Sequence, residues 1–296
     1  MVVFAPLSVE LIAETDFVVP ASVDYTLNAD AADNGEELAV FAGRVCYQSF
    51  GRPNTRTATA AGYLANILDH RHLSVLEHAT ATFYIQGVTR ALTHELVRHR
   101  HLSPSQVSQR FVDDRNLAFV VPPLYDADQE ALADLNRHAE DAISRYRNHV
   151  QRYLDRGVDR KQAREAARAF LPEFTETRIT ISGNYRSWIE YLLKRDSPHA
   201  DAEHRRLAAE IGHQLAAKAP NVFGPAARAN WVPALSASEQ VTKVRESLAG
   251  YLSTFSSITM SSESGTGGAW IESPRGAEVL DLHELAHLIV ADLRAA

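Results

Sequence analysis

Residues 98–101 read Arg-His-Arg-His, and the chain continues Leu-Ser-Pro-Ser-Gln-Val-Ser-Gln-Arg to Arg110. Neighbouring cations repel one another, and an anionic ligand is the obvious group to offset that repulsion. Apolar spacing predicts a helix over 89–99. If it continues to His101, then His94, Arg98 and His101 share a face, with Arg90 two turns below Arg98. Ser103-Pro104-Ser105-Gln106 then reads as a second helix start, with Ser103 as N-cap, Pro104 first in the helix and Gln106 closing a capping box. A helix start presents free N–H groups and a partial positive charge. Arg98, Arg100 and Arg110 around it would suit a phosphate dianion, because guanidinium forks bind phosphate bidentately. The residues alone leave a second reading open, a solvated basic face or one paired with some of the 37 acidic residues.

The background makes this run stand out. The chain has 296 residues, a formal net charge of -7, 45% hydrophobic and 23% charged residues. Those are globular values, and the acidic balance argues against general affinity for nucleic acid or membrane. A nucleic-acid module would use the same basic run, but an aromatic-rich RNA motif is absent. A single cysteine, Cys46, permits no intramolecular disulfide and fits a reducing compartment. It lies in a predicted helix and reads as an inert core thiol. The first residues lack the basic region and cleavage site of a signal peptide, and the expected location is cytoplasmic.

Positioning elements follow from periodicity. Strands are expected at 7–13, 79–88, 117–123 and 175–184. Helices are expected at 36–50, 57–71, 126–157, 159–172, 185–196 and 201–220. Strands and helices mix without regular βαβ alternation, so the fold class is α+β. Composition changes near 223, where a boundary is placed. Beyond it, 224–238 reads as irregular, 252–268 as Ser/Thr/Gly-rich and flexible, with weak helices at 241–252 and 275–294.

Taken together, several ordered motifs resemble the flavin-dependent thymidylate synthases. Arg98-His99-Arg100, seven residues, then Ser108 is that family's signature, in a form similar to actinobacterial members. FAGRVCYQS (41–49), HLSVLEHATATFYI (72–85) and the stretch 163–208 resemble its other segments in order, so the likeness covers about 5–223. The resemblance implies an α+β fold with a mixed sheet and long helices, and a homotetramer with active sites shared between subunits. It implies conversion of dUMP to dTMP, with 5,10-methylenetetrahydrofolate as carbon donor and NADPH-reduced FAD as hydride source, without a cysteine nucleophile.

Carried over by resemblance, Arg110 and Arg168 hold the nucleotide phosphate, Gln106, Val107, Ser108 and Gln109 line the nucleotide, and Glu95 and Arg98 also reach it. Arg195 faces the uracil edge, where a guanidinium stabilises charge as the ring deprotonates; Ser108 and His72 join it as catalytic residues. Ser74, Glu77, Arg98, His99, Arg100, His101, Asn184, Tyr185, Arg186 and Glu190 fall in the FAD region. Glu190 departs from the His or Asn of relatives and is expected to point away from the flavin pyrophosphate; Gln106 stands where many members carry Glu. In the tail, HELAH (283–287) matches the zinc-protease pattern, but the leucines around it make an ordinary amphipathic helix, and no metal is expected.

Overall fold

Three alternating stretches of sequence become strands. They are β1 (Ser8–Glu14), β2 (Thr80–Thr89) and β4 (Glu176–Asn184), joined by a short edge strand β3 (Ser103–Gln106). The computed structural model describes residues 2–52, 54–112, 117–231, 257–260, 268–273 and 276–281. The sheet order is β1-β2-β4-β3, and every neighbouring pair is antiparallel. This corrects the expected mixed sheet, since the parallel contact described is an isolated bridge between Phe4 and Phe119.

The helices are α1 (Asn34–Tyr47), α2 (Ala60–Asp69), α3 (Arg90–Leu96), α4 (Gln129–Leu154), α5 (Arg160–Ala167), α6 (Tyr185–Arg195), α7 (Ala202–Lys218), α8 (Pro220–Phe223) and α9 (Pro225–Trp231). One sheet face is apolar because the strand period of two puts Ala81, Phe83 and Ile85 opposite Gly183, Ile181 and Ile179. Trp188 of α6 packs on that face, its ring edge-on to Phe83 at 5.1 Å and its indole N–H on the Ala81 carbonyl at 3.2 Å. Gly183 permits the approach, since a Cβ there would lie 3.2 Å from Trp188 Cε2 and would also crowd Leu102 Cδ2. Gly87, at φ +71°, lies in the irregularity that interrupts the β2–β4 register.

Several expectations change. α3 stops at Leu96 instead of reaching His101, and the amides of Arg98, His99 and Leu102 close successive turns onto Glu95, Leu96 and His99. The shared face of His94, Arg98 and His101 therefore does not form. Ser103–Gln106 is a strand, not a helix start: it pairs with β4 from Ser103↔Ser182 to Gln106↔Ile179. Pairing there covers the otherwise open edge of β4, and Pro104 is tolerated because an edge position needs no N–H from it. The capping box is absent, and the Gln106 amide nitrogen instead donates to Thr93 Oγ1 at 2.8 Å and Thr177 Oγ1 at 3.2 Å.

The 117–123 strand is reduced to an extended segment bridging Phe119 to Phe4 and Thr175, since Pro122 and Pro123 offer no ladder donors. α4 begins at Gln129, where the Asp128 carboxylate caps the Ala131 amide at 3.0 Å. α5 packs on α4 through Ala163, Ala167, Tyr146 and Val150, and a 3₁₀ turn at Arg168–Phe170 replaces its expected last turn before Pro172. Cys46 is exposed, not a core thiol.

The first compact unit extends to Val232, past the boundary placed near 223. Part of the stretch expected to be irregular is α9, whose Trp231 is 1% exposed and donates its indole N–H to the Val222 carbonyl at 2.8 Å. In the second unit, Pro233–Ala296, the described residues form an antiparallel sheet of β5 (Ser257–Met260), β6 (Gly268–Ser273) and β7 (Gly276–Asp281). β5 replaces part of the expected flexible stretch and β7 part of the expected 275–294 helix, because backbone pairing on both sides of β6 takes up these short segments. The 241–252 helix and HELAH lie outside the described residues. Among the described residues no helix is long and apolar enough to cross a membrane.

Trp231→Ala removes a buried indole and leaves the Val222 carbonyl unpaired. Chemical denaturation should report a loss of about 3–5 kcal/mol; an unchanged midpoint at unchanged m-value would mean that α9 does not belong to the cooperative unit.

Candidate active site

α3 and α6 start at opposite ends of adjacent antiparallel strands. Thr89 ends β2 and caps α3 on the Leu92 amide at 2.9 Å, whereas Asn184 ends β4 and caps α6 on the Ser187 amide at 2.8 Å. Both helices bury their apolar side chains, Leu92, Leu96, Trp188 and Leu192, in one core. Their C-terminal ends consequently meet. α7 is tied to the start of α3, since Glu203 accepts from the Thr89 amide and hydroxyl, each at 2.7 Å.

Where they meet, Arg195 is clamped. Its Nη1 donates to Glu95 Oε2 at 2.5 Å and its Nε to His99 Nε2 at 3.0 Å. His99 must therefore be neutral and accepting at Nε2. Burial, helped by the charges of Arg195 and Lys194, pushes its pKa down to about 4. His99 lies edge-on to Tyr191 at 5.2 Å, and burial raises the Tyr191 phenol well above its ordinary value. Behind Glu95 stands His204 of α7, 0% exposed, its Nδ1 3.7 Å from Glu95 Oε2. Burial, then Arg195 and His99, push its pKa down to about 3. The Arg195 side chain keeps 21% exposure, so a fixed guanidinium with free N–H groups faces outward.

A second cationic group forms under the loop that follows β3. The Val107 amide bonds the Arg178 carbonyl at 3.0 Å, and the Val107 carbonyl accepts from Arg90 Nη1 at 3.4 Å. Burial lowers the Arg90 pKa, and the charge of Arg168 lowers it further, against the opposing Glu173. Two guanidiniums close enough to feel each other suit an anion between them. Arg168 has no ion-pair partner among the described residues, and Arg110 pairs with the exposed Glu165 at 3.5 Å and lies over the Phe111 ring, 5.6 Å from its centroid. Ser108 lies in the turn between them, its hydroxyl accepting from the Arg110 amide at 3.3 Å. Gln109 and Val107 border an apolar cavity of about 290 Å³ that also touches Tyr84, Tyr146 and Arg178.

The remaining expected residues divide. Arg98, Arg100 and His101 are exposed and carry no side-chain hydrogen bond or ion pair among the described residues, so the repulsion noted in the sequence stays uncompensated within the described part of this chain. Arg186 donates to Glu77 at 2.6 Å and lies 3.7 Å from Glu190, so Glu190 is drawn to a cation on its own helix. His72 and Ser74 are exposed around the 3₁₀ turn Leu73–Glu77, and no hydrogen bond or ion pair joins His72 or Ser108 to Arg195. Asn184 spends its Oδ1 on capping α6. Tyr185 is a correction: it is 1% exposed, donates its hydroxyl to Asp33 at 2.5 Å and packs on Phe223, so it belongs to the core and offers no cofactor a face. Sequence reasoning did not foresee Arg90 near Arg168, and it did not single out His204 or Tyr191 beside His99. Only the position of Arg90 below Arg98 hinted at any of them.

A family model described as thymidylate synthase complementing protein matches residues 26–221. The chain belongs to this family. Among similar proteins, the flavin-dependent thymidylate synthases of Mycobacterium bovis (strain BCG / Pasteur) and Mycobacterium marinum are each 50% identical over 226 residues, spanning 74% of this chain and 89% of each relative. That of Mycobacteroides abscessus is 47% identical over 231 residues, 76% of this chain and 91% of the relative. The thymidylate synthase complementing segment contains Glu95, His99, Arg195 and His204 as well as Arg90, Arg110 and Arg168, while α9 lies beyond it. Among the described residues of this family member, no group of three or more His, Cys, Asp or Glu could hold a metal ion.

His99 and His204 stay neutral when folded but titrate near 6.5 when unfolded. Between about pH 6.5 and 4 the unfolded chain binds more protons, so stability is full above that window and declines as pH falls through it. The unfolding midpoint should drop from pH 7 to pH 5 in wild type and drop less in His204→Leu; parallel profiles would contradict the assignment.

Proposed function

We propose that the chain is a flavin-dependent thymidylate synthase, converting dUMP to dTMP with 5,10-methylenetetrahydrofolate as carbon donor and NADPH-reduced FAD as hydride source. The observation that carries this reading is the Arg195 guanidinium, held by Glu95 and a neutral His99 with its remaining N–H groups facing outward. Such a group pays no reorganisation when negative charge develops on the pyrimidine, which is how a ring is activated without a thiol. Cys46 fits no nucleophilic role: it lies on α1, its Sγ 3.5 Å from the Ala42 carbonyl.

Arg90, Arg168 and Arg110 are the phosphate holders in this reading, with Gln106, Val107, Ser108 and Gln109 lining the nucleotide. Two neighbouring guanidiniums suit the dianion, and both keep their charge because a guanidinium does not lose its proton near neutral pH. The residues also fit a flavin dinucleotide: the exposed guanidiniums of Arg98 and Arg100 and the exposed imidazole of His101, unpaired among the described residues, are available to a pyrophosphate, with Ser74, Glu77 and Arg186 as further contacts. When bound, reduced FAD supplies the hydride. Glu77 and Glu190 neutralise Arg186 and hold it in place, so the acidic departure at Glu190 does not leave a bare carboxylate at that site. Exposure of Arg98, Arg100 and Arg168 on one chain agrees with a homotetramer whose subunits complete each other's sites, and a lone cysteine agrees with a cytoplasmic setting.

Purified protein given FAD and desalted should keep a flavin absorption band and oxidise NADPH in a dUMP-dependent way. A colourless, inactive protein would sink the reading. Arg195→Ala should keep the flavin and lose dTMP formation by at least about a hundredfold. Arg90→Ala should raise the Kd for dUMP by about tenfold or more while leaving the much weaker binding of deoxyuridine nearly unchanged, because only the phosphate contact is lost. Equal weakening of both ligands would move Arg90 away from the phosphate.

A further inference from the structure

His204 is a buried group for which neither the fold nor the proposed chemistry accounts, and it stands out because both of its ring nitrogens lack a partner. It is the third residue of α7, its backbone N–H held by Asp201 Oδ1 at 3.2 Å. The imidazole is 0% exposed, and neither ring nitrogen has a hydrogen-bond partner. A buried donor left unpaired is destabilising, and a leucine in this apolar setting would avoid the penalty. Such a group is retained where it finds a partner in another state of the molecule.

The geometry identifies that partner. Glu95 Oε2, which accepts the Arg195 bond at 2.5 Å, lies 3.7 Å from His204 Nδ1. An ordinary N–H···O bond is about 2.9 Å, so a shift of the carboxylate by about 0.8 Å would make it. Glu95 thus stands between two donors and bonds one of them. The groups facing His204 are Glu95 of α3, His99 in the turn after α3, and Tyr191 and Arg195 of α6. Only Glu95 is an anion, and His99 is occupied by Arg195.

Resting on the thymidylate synthase reading, we propose that His204 is a positioning residue that receives Glu95 when Arg195 turns to the nucleotide. Drawing Arg195 off its carboxylate takes a charged partner from a Glu95 side chain that is 48% exposed, so water takes up its outer side while its inner side, toward His204, loses its bond. A neutral imidazole N–H behind the carboxylate replaces the lost bond without moving a proton. The ligand-free state keeps the His204 nitrogens unpaired, and the bound state satisfies one of them, so the two states lie closer in free energy and Arg195 is released more readily.

A stability cycle tests this without any nucleotide. Arg195→Met removes the guanidinium and leaves Glu95 free to move. His204→Leu should leave the thermal midpoint unchanged or raised in the otherwise wild-type chain, and should lower it in the Arg195→Met chain. His204→Asn, whose amide nitrogen approximates Nδ1, should behave like wild type in both. The same change in both backgrounds, or a His204→Leu chain that fails to fold, overturns the proposal, because the imidazole would then serve the fold alone. In parallel, calorimetry should show dUMP binding weakened about tenfold in His204→Leu, restored to within about threefold by His204→Asn, with FAD binding unchanged. Unaltered dUMP affinity in His204→Leu also overturns it. If the wild-type chain binds no dUMP, the thymidylate synthase reading falls, and the stability cycle still decides whether His204 and Glu95 are coupled.

Discussion

An arginine held between a carboxylate and a neutral imidazole is the contact on which the rest of the site depends. Arg195 reaches Glu95 and His99 only because α3 and α6 leave opposite ends of β2 and β4 and run toward each other over one apolar sheet face. The antiparallel register sets where each helix starts, the Thr89 and Asn184 caps set its first turn, and helix length sets where it ends. A one-residue slip between β2 and β4 would turn Phe83 and Ile181 off the core and part Arg195 from its clamps.

The electrostatics follow from burial. His99 and His204 sit where protonation is disfavoured, so they add polar groups without adding charge, and Arg195 remains the cation of that cluster. Elsewhere the chain leaves cations unmatched. Arg90 and Arg168 feel each other's charge, while Arg98, Arg100 and His101 stay exposed and unpaired among the described residues, although acidic residues outnumber basic ones in the chain as a whole. Arg186, by contrast, has two carboxylates near it. Guanidiniums without a carboxylate partner among the described residues thus stand apart from one held by two carboxylates.

Much of this was legible from periodicity. The strands β1, β2 and β4, the helices α4, α6 and α7, and the α+β class all follow from apolar spacing, because each has one face toward a core. The failures share a cause. Ser103–Gln106 has good helix-start chemistry, yet it is a strand because the edge of β4 offers its backbone partners, and pairing depends on what lies across the sheet. α9 is seven residues long, too short for a period to show, and is held by the buried Trp231 and Ala227 and by the pairing of Arg228 with Asp196. Tyr185 sits beside Arg186 in sequence but points the other way, into the core, as adjacent helix positions do.

By itself, the sequence determined the residue types capable of the chemistry and their order. It supplied the basic run, the arginines for a phosphate, the lone cysteine that permits no intramolecular disulfide, and the motif spacing that resembles one enzyme family. Tertiary structure decided which of these meet. Within Arg98–His101, only His99 turns inward to Arg195, ninety-six residues away. Arg90 bonds the Val107 carbonyl, and His204 comes to stand behind Glu95. These contacts bridge elements far apart in the chain, and local preference carries no information about them. They are set by strand register, by helix length and by the packing of three helices on a common core.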